Sequence, residues 1–214
     1  MLGMESGDIA AELDVVIVGG GIQGLLALDV LTREGYACAL VTEGALGEGQ
    51  TLHSHGFRNT GFGILGPELP RALAEVVEPD MRARGVETTG EWAAIPPPNV
   101  PVPPSLPPAT LPEGFAPAFR DRAVRLPDRS FPKRRMVEAL SAGHHDRVVV
   151  GHATPLLHGD RVDTVAVHLA DAAEDVVFGT KATVIAAGCG TKRLLHELVG
   201  RRRRPSRSST AGST

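Results

Sequence analysis

Three glycines and one acid near the start of the chain have the types and spacing for holding a dinucleotide. Gly19, Gly21 and Gly24 read G-x-G-x-x-G, and Glu43 follows about 20 residues after the motif. Gly19 permits a tight turn out of a strand. Gly21 has no side chain, so a pyrophosphate can approach the backbone. Gly24 lets a helix lie close to the strand. The helix start offers free N–H groups and a partial positive charge to phosphate, and the Glu43 carboxylate can accept hydrogen bonds from a ribose. These residues suit NAD as well as FAD, and a solvated strand end is the plain alternative for Glu43.

The motif needs a strand before it and a helix after it, and the sequence supplies both. Val15 to Val18 is an apolar β-branched run, the pattern of a strand covered on both faces. A helical stretch follows from Ile22 to Arg33, Gly35 stops it, and a second apolar run, Ala37 to Val41, leads to Glu43. A second place where backbone can approach a ligand lies far along the chain. Thr183 to Ala186 reads as a buried strand, Ala187-Gly188-Cys189-Gly190 as a turn without bulky side chains, and Lys192 to Val199 as a helix.

Between these ends the chain is varied. Residues 1 to 12 are expected to be a loose leader. Gly44 to Gly66 is dense in Gly, His, Ser and Thr and reads as a loop beside the ligand. Residues 67 to 84 turn helical, with Pro79 expected to break the helix in two. Ile95 to Pro117 is packed with proline and is expected to be extended and irregular. A helix is expected over Ser130 to Ala142 with Pro132 in its first turn. Short strands follow at Val148–Val150, Ala153–Leu157 and Val162–Val167, the last two joined by a turn at His158 to Arg161, and Val176–Phe178 is expected to pair with them. The tail from residue 201 is arginine- and serine-rich and is expected to be disordered.

Composition narrows the class. The 214 residues carry a formal net charge of -3, which argues against a nucleic-acid partner. The hydrophobic share of 42% supports a globular core, and no apolar run approaches the roughly 20 residues that span a bilayer. The eight histidines lack metal-ligand spacing, so no metal is expected. Neither of the two cysteines requires an oxidising compartment, and the first residues do not read as a signal peptide, so a cytoplasmic location is expected.

With these pieces placed, the chain resembles FAD-dependent oxidoreductases of the D-amino-acid oxidase, sarcosine oxidase and glycine oxidase superfamily. Three blocks carry the likeness: VVIVGGGIQGLLALDVLTREGYACALVTE, LGEGQTLHSHG and KATVIAAGCGTKRLL. The resemblance implies an α/β fold: a Rossmann-like FAD/NAD(P)-binding domain with an inserted, incomplete α+β substrate domain. The binding domain would take residues 13–66 and 130–200 and include a β-meander, and the insertion would take 67–129. The cofactor implied is FAD. The amides of Gly21, Ile22, Gln23 and Gly24 would hold its pyrophosphate, Glu43 its ribose, and Gln50 and Thr51 its phosphates or ribityl chain. Leu156 would offer its backbone to the adenine, since Pro155 has no N–H, and Ala187 and Gly188 would line the nucleotide from the other side. His53 occupies the place where related dehydrogenases carry a histidine joined covalently to flavin. His55 and Arg58 are candidates to face a substrate carboxylate.

The reaction implied is oxidation of an amine, amino acid or hydroxy acid, a small-molecule substrate, by hydride transfer to the flavin. The superfamily's chains run on well past this one. The resemblance therefore implies a truncated chain, for which no catalytic base is assigned. A catalytically inactive flavin-fold protein and an NAD-binding module are the alternatives. A truncated sheet is also expected to leave an edge, and the apolar faces of Ala182–Ile185 and of the Leu194–Leu198 helix, uncovered and prone to self-association.

Overall fold

The computed structural model describes residues 9–54, 56–58, 73–90, 92–96, 98–99, 106–126, 129–169 and 175–202. The chain divides into two compact units, one of residues 1–53 with 140–214 and one of residues 54–139. The division falls at 53/54 and 139/140 rather than at the expected 66/67 and 129/130.

The first unit is built on a six-stranded sheet in the order β7-β2-β1-β10-β9-β8. Its strands are β1 (Ile9–Val18), β2 (Cys38–Thr42), β7 (Val148–Val150), β8 (His152–His158), β9 (Arg161–His168) and β10 (Val176–Ile185). β7, β2, β1 and β10 run parallel, and β9 and β8 return antiparallel as a meander. Helix α1 (Ile22–Arg33) crosses from β1 to β2, as a parallel pair requires. Val16, Val18 and Val41 from the parallel strands share one core cluster with Ala153, Val165, Val167, Phe178 and Leu194. Ile17, one residue out of phase on β1, faces the start of α1 instead. Both faces of the strand are thus covered, which is why its sequence is apolar throughout rather than alternating.

Two expectations for this unit are corrected. Residues 9–12 are strand, not leader: Ile9, Ala11 and Glu12 pair with β10. Val176–Phe178 and Thr183–Ala186 are not two strands, since β10 runs unbroken from Val176 to Ile185. Its polar middle, Gly179-Thr180-Lys181, interrupts the apolar pattern, but ladder bonds to β1 and β9 hold the backbone extended. Gly179 lies opposite Glu12, whose carboxylate fills the space that a Cβ there would need.

The second unit holds two small antiparallel pairs. β3 (Phe57–Arg58) pairs with β6 (Arg129–Ser130), and β4 (Trp92–Ala94) with β5 (Val124–Leu126). A π-helical turn at Leu73–Val77 runs straight into helix α3 (Glu78–Ala83). Pro79 sits in the first turn of α3, where the stretch changes from π-helical to α-helical. The described part of the proline-rich stretch forms no strand beyond a bridge at Pro108, and Pro117 opens the short helix α4 (Pro117–Arg120). Helix α5 (Lys133–Ser141) follows, beginning just after Pro132, whose carbonyl accepts from Met136 N. In the first unit, α2 (Gln50–His53) is a single turn within the expected loop, and α6 (Thr191–Arg202) follows β10. The expectation of disorder beyond residue 202 lies outside the described residues, while Arg201 and Arg202 complete α6.

Candidate functional site

The site is assembled at the ends of β1, β2 and β10, from three turns far apart in sequence. The first is the glycine turn. Gly19 has φ +121, and a Cβ on it would lie 2.6 Å from the Ala186 carbonyl carbon, so only glycine fits where β1 and β10 end together. A Cβ on Gly24 would overlap the Gly19 carbonyl oxygen outright, which is how closely α1 seats on the strand. Gly21 differs. It is the N-cap of α1 with an extended backbone, and the nearest atom to a Cβ there is Thr51 Oγ1 at 3.4 Å. Gly21 therefore has room for a Cβ where the other two do not.

The second turn is the segment after β2. Thr42 Oγ1 donates to Gly44 O at 3.1 Å, Ala45 N donates to the Glu48 carboxylate at 2.8 Å, and Gly47 N donates to Gly20 O at 2.8 Å. These bonds lay the segment against the glycine turn and deliver α2 to the start of α1. There Thr51 Oγ1 accepts from Ile22 N at 2.9 Å. The Ile22 amide, expected to face phosphate, is thus capped by the chain itself. The amides of Gln23 and Gly24 belong to the first turn and have no intrahelical acceptor. Gln23 and His53 are exposed.

The third turn follows β10. Ala186 N donates to Val18 O at 2.8 Å, and Gly188 has φ +55. A Cβ on Gly188 would come within 3.1 Å of Gln50 Oε1, so the Ala187–Gly188 turn and α2 adjoin. Sequence reading gave all three turns to one ligand, and the structure brings them together.

Glu43 lies one residue past β2 and is 64% exposed. Its Oε1 accepts from two side chains that sequence reading missed, His152 Nδ1 at 2.8 Å and Arg193 Nη2 at 3.3 Å. Leu156 is not with them. It sits half-buried opposite Thr164 on the β8–β9 hairpin, about 13 Å along the strand from His152 at the usual rise per residue. His55 lies outside the described residues, and Arg58 lies on β3 in the other unit.

Other features were also missed or misplaced. Asp29 on α1 is 3% exposed; its Oδ1 lies 3.2 Å from His144 Nε2 and its Oδ2 2.7 Å from Arg33. Leu194 and Leu198, expected to be uncovered, are buried in the first unit. The apolar groups that α6 does expose are Leu195 and Val199, which with Gly188, Thr191, Lys192 and His196 line a shallow groove. No described helix is long and apolar enough to cross a membrane.

No protein-family model and no curated protein matches the chain. Solved structures do. An FAD-dependent oxidoreductase from Pseudomonas aeruginosa is 28% identical with a TM-score of 0.65, covering 90% of this chain and 52% of its own. Glycine oxidase from Geobacillus kaustophilus is 18% identical with a TM-score of 0.61, over 88% of this chain and 58% of its own. L-amino acid deaminase from Proteus vulgaris, without its specific insertion, is 15% identical with a TM-score of 0.63, over 91% of this chain and 58% of its own. The fold is that of the FAD-dependent oxidoreductases, and the chain spans little more than half the length of these structures.

Proposed function

We propose that this chain is the nucleotide-binding portion of an FAD-dependent oxidoreductase that oxidises a small amine, amino acid or hydroxy acid. The convergence of the three turns carries the reading. The start of α1 at Gly21 faces the Thr51 side chain, and the neighbouring Gln50 adjoins the Ala187–Gly188 turn. That cradle fits a pyrophosphate: the helix start supplies partial positive charge, and the Thr51 hydroxyl lies beside it, accepting from Ile22 N. FAD is the cofactor expected of the fold, and when bound it supplies the hydride-accepting chemistry.

The chain's own residues would bind and orient. Gln23 and Gly24 would offer amides, Thr51 and Gln50 side-chain groups, and Glu43 its second oxygen, Oε2, to a ribose hydroxyl. The adenine end would lie against β8, where the backbone of Leu156 is the candidate, farther along the strand than His152. In this reading, residues 54–139 belong to the substrate side.

The test is to purify the 214-residue chain, add FAD and remove the excess. Flavin absorption near about 370 and 450 nm that stays with the protein supports the reading. Acid precipitation then reports whether the flavin is joined to His53. A colourless protein that takes up no FAD overturns the assignment, and tight NAD binding in its place would make the chain an NAD module.

A further inference from the structure

The placement of Glu43 depends on residues from the far half of the chain. Gly151 is the single residue between β7, which pairs with β2, and β8, which pairs with β9. Its N–H donates to Thr42 O at 2.8 Å, so the chain leaving β7 is pinned to the last residue of β2. A Cβ on Gly151 would lie 2.7 Å from the His168 carbonyl oxygen, so a side chain there would push the crossing away. The next residues on each strand, Glu43 and His152, are thereby set side by side.

His152 Nδ1 lies 2.8 Å from Glu43 Oε1. Two bare acceptors would repel at that separation, so Nδ1 carries the proton and donates it. Ala153, the next residue, is 4% exposed within the core, which fixes the β8 backbone from which the imidazole projects. Arg193 approaches the same oxygen at 3.3 Å from the first turn of α6, just before the buried Leu194. Both donors take Oε1. A glutamate has three side-chain torsions and, when exposed, samples many rotamers. Pinning one oxygen from two elements selects among those rotamers and so restricts the orientation of Oε2.

We infer that His152 is a positioning residue: it holds the Glu43 carboxylate with Oε2 presented to a ribose hydroxyl, and so sets the preference for ribose over deoxyribose. This rests on the nucleotide reading above. His152 itself touches no ligand in this account. Arg193 supplements it and adds electrostatic attraction, but at 58% exposure its contribution falls with salt.

The experiment measures dissociation constants for ADP and 2′-deoxy-ADP on the full chain by calorimetry, in the wild type and in His152→Ala, His152→Asn and Glu43→Gln. In the wild type the deoxy analogue should bind about three- to tenfold more weakly, the share of a charge-assisted hydrogen bond that survives in an exposed site. His152→Ala should bring that ratio toward one while leaving 2′-deoxy-ADP affinity unchanged. His152→Asn, whose amide nitrogen can stand where Nδ1 stands, should restore it. In Glu43→Gln the ratio should be small and insensitive to a further His152→Ala change. A structural role for His152 would instead weaken both ligands equally, and that result, or an unchanged ratio in His152→Ala, overturns the inference while the nucleotide reading stands. Failure of the wild type to bind ADP at all would remove both.

Discussion

Gly24 and Gly21 belong to one motif, yet the structure gives them opposite tasks, and a pair of alanine substitutions separates the two. A methyl at Gly24 would overlap the Gly19 carbonyl oxygen, a rigid backbone atom at the turn out of β1. To reach ordinary contact, α1 must retreat from the strand by more than an ångström. Overpacking of this kind costs about 1–3 kcal/mol, and a clash with backbone belongs at the upper end. Alanine in place of a helical glycine returns about 1 kcal/mol. The net loss is about 2 kcal/mol, equivalent to a drop in Tm of about 4–8 °C for a protein of this size. At Gly21 the same methyl meets only Thr51 Oγ1, at 3.4 Å, and its backbone is extended, which any residue adopts. Gly21→Ala should therefore melt within about 1–2 °C of the wild type. Its effect should fall on FAD, because in the proposed reading the methyl stands where phosphate would meet the helix start. A loss of at least tenfold in affinity is expected, about 1.4 kcal/mol. Urea or thermal unfolding followed by circular dichroism gives the first quantity, and quenching of FAD fluorescence the second. A Gly24→Ala variant as stable as the wild type would refute the close-packing argument. A stable Gly21→Ala variant with full FAD affinity would refute the cradle.

Three further outcomes are expected. Glu43→Gln should weaken FAD binding by less than about tenfold, since an amide keeps one acceptor for the ribose; titration reads it, and complete loss would mean that Glu43 holds the fold. Asp29→Ala should cost about 2 kcal/mol, because it strips a buried carboxylate from His144, whose other ring nitrogen, Nδ1, has no partner among the described residues. Asp29→Asn should cost less by keeping an acceptor for Nε2, and chemical denaturation compares the two. The Lys181 ammonium, with the Ala37 amide, holds the Asp14 carboxyl below its ordinary value of 3.8, and Asp14 in turn raises Lys181 above 10.5. A depressed carboxyl stabilises above its unfolded value and loses that contribution as pH falls through its folded value; a raised amine stabilises below its unfolded value and loses it as pH rises through its folded value. Asp14→Asn should therefore be less stable than the wild type between these limits and converge with it in acid. Denaturation midpoints from neutral pH down to about pH 3 check this. Both groups are solvent-accessible, so the gap should be small and shrink in high salt.

What could be read from sequence divides along physical lines. Helix α1 falls on Ile22–Arg33 as read because an apolar period, a glycine-rich start and Gly35 mark it locally. The β1 core was legible because burial on both faces demands a continuous apolar run. Its first residues were not, since Ile9–Glu12 are held by ladder bonds to a strand about 170 residues away rather than by their own pattern. β10 was split in two for the same reason. Gly179, Thr180 and Lys181 break the apolar run, while the backbone bonds that keep them extended leave no mark on side-chain type.

The site shows the same limit more sharply. Glycines report on it well, because a position that excludes a Cβ admits little else, and Gly19, Gly24 and Gly151 each exclude one through a backbone atom. Histidines report poorly. The histidine tied to Glu43 is His152, 109 residues from its partner and placed by a bend at Gly151, and no local pattern marks it. The sequence offers that bend only as one glycine among 25. It is the Gly151 N–H to Thr42 bond that brings the start of β8 to the end of β2. Substituting Gly151 should therefore disturb ribose recognition through His152 before it disturbs the glycine turn, which is held separately by Gly19 against Ala186 and by Gly24 on β1.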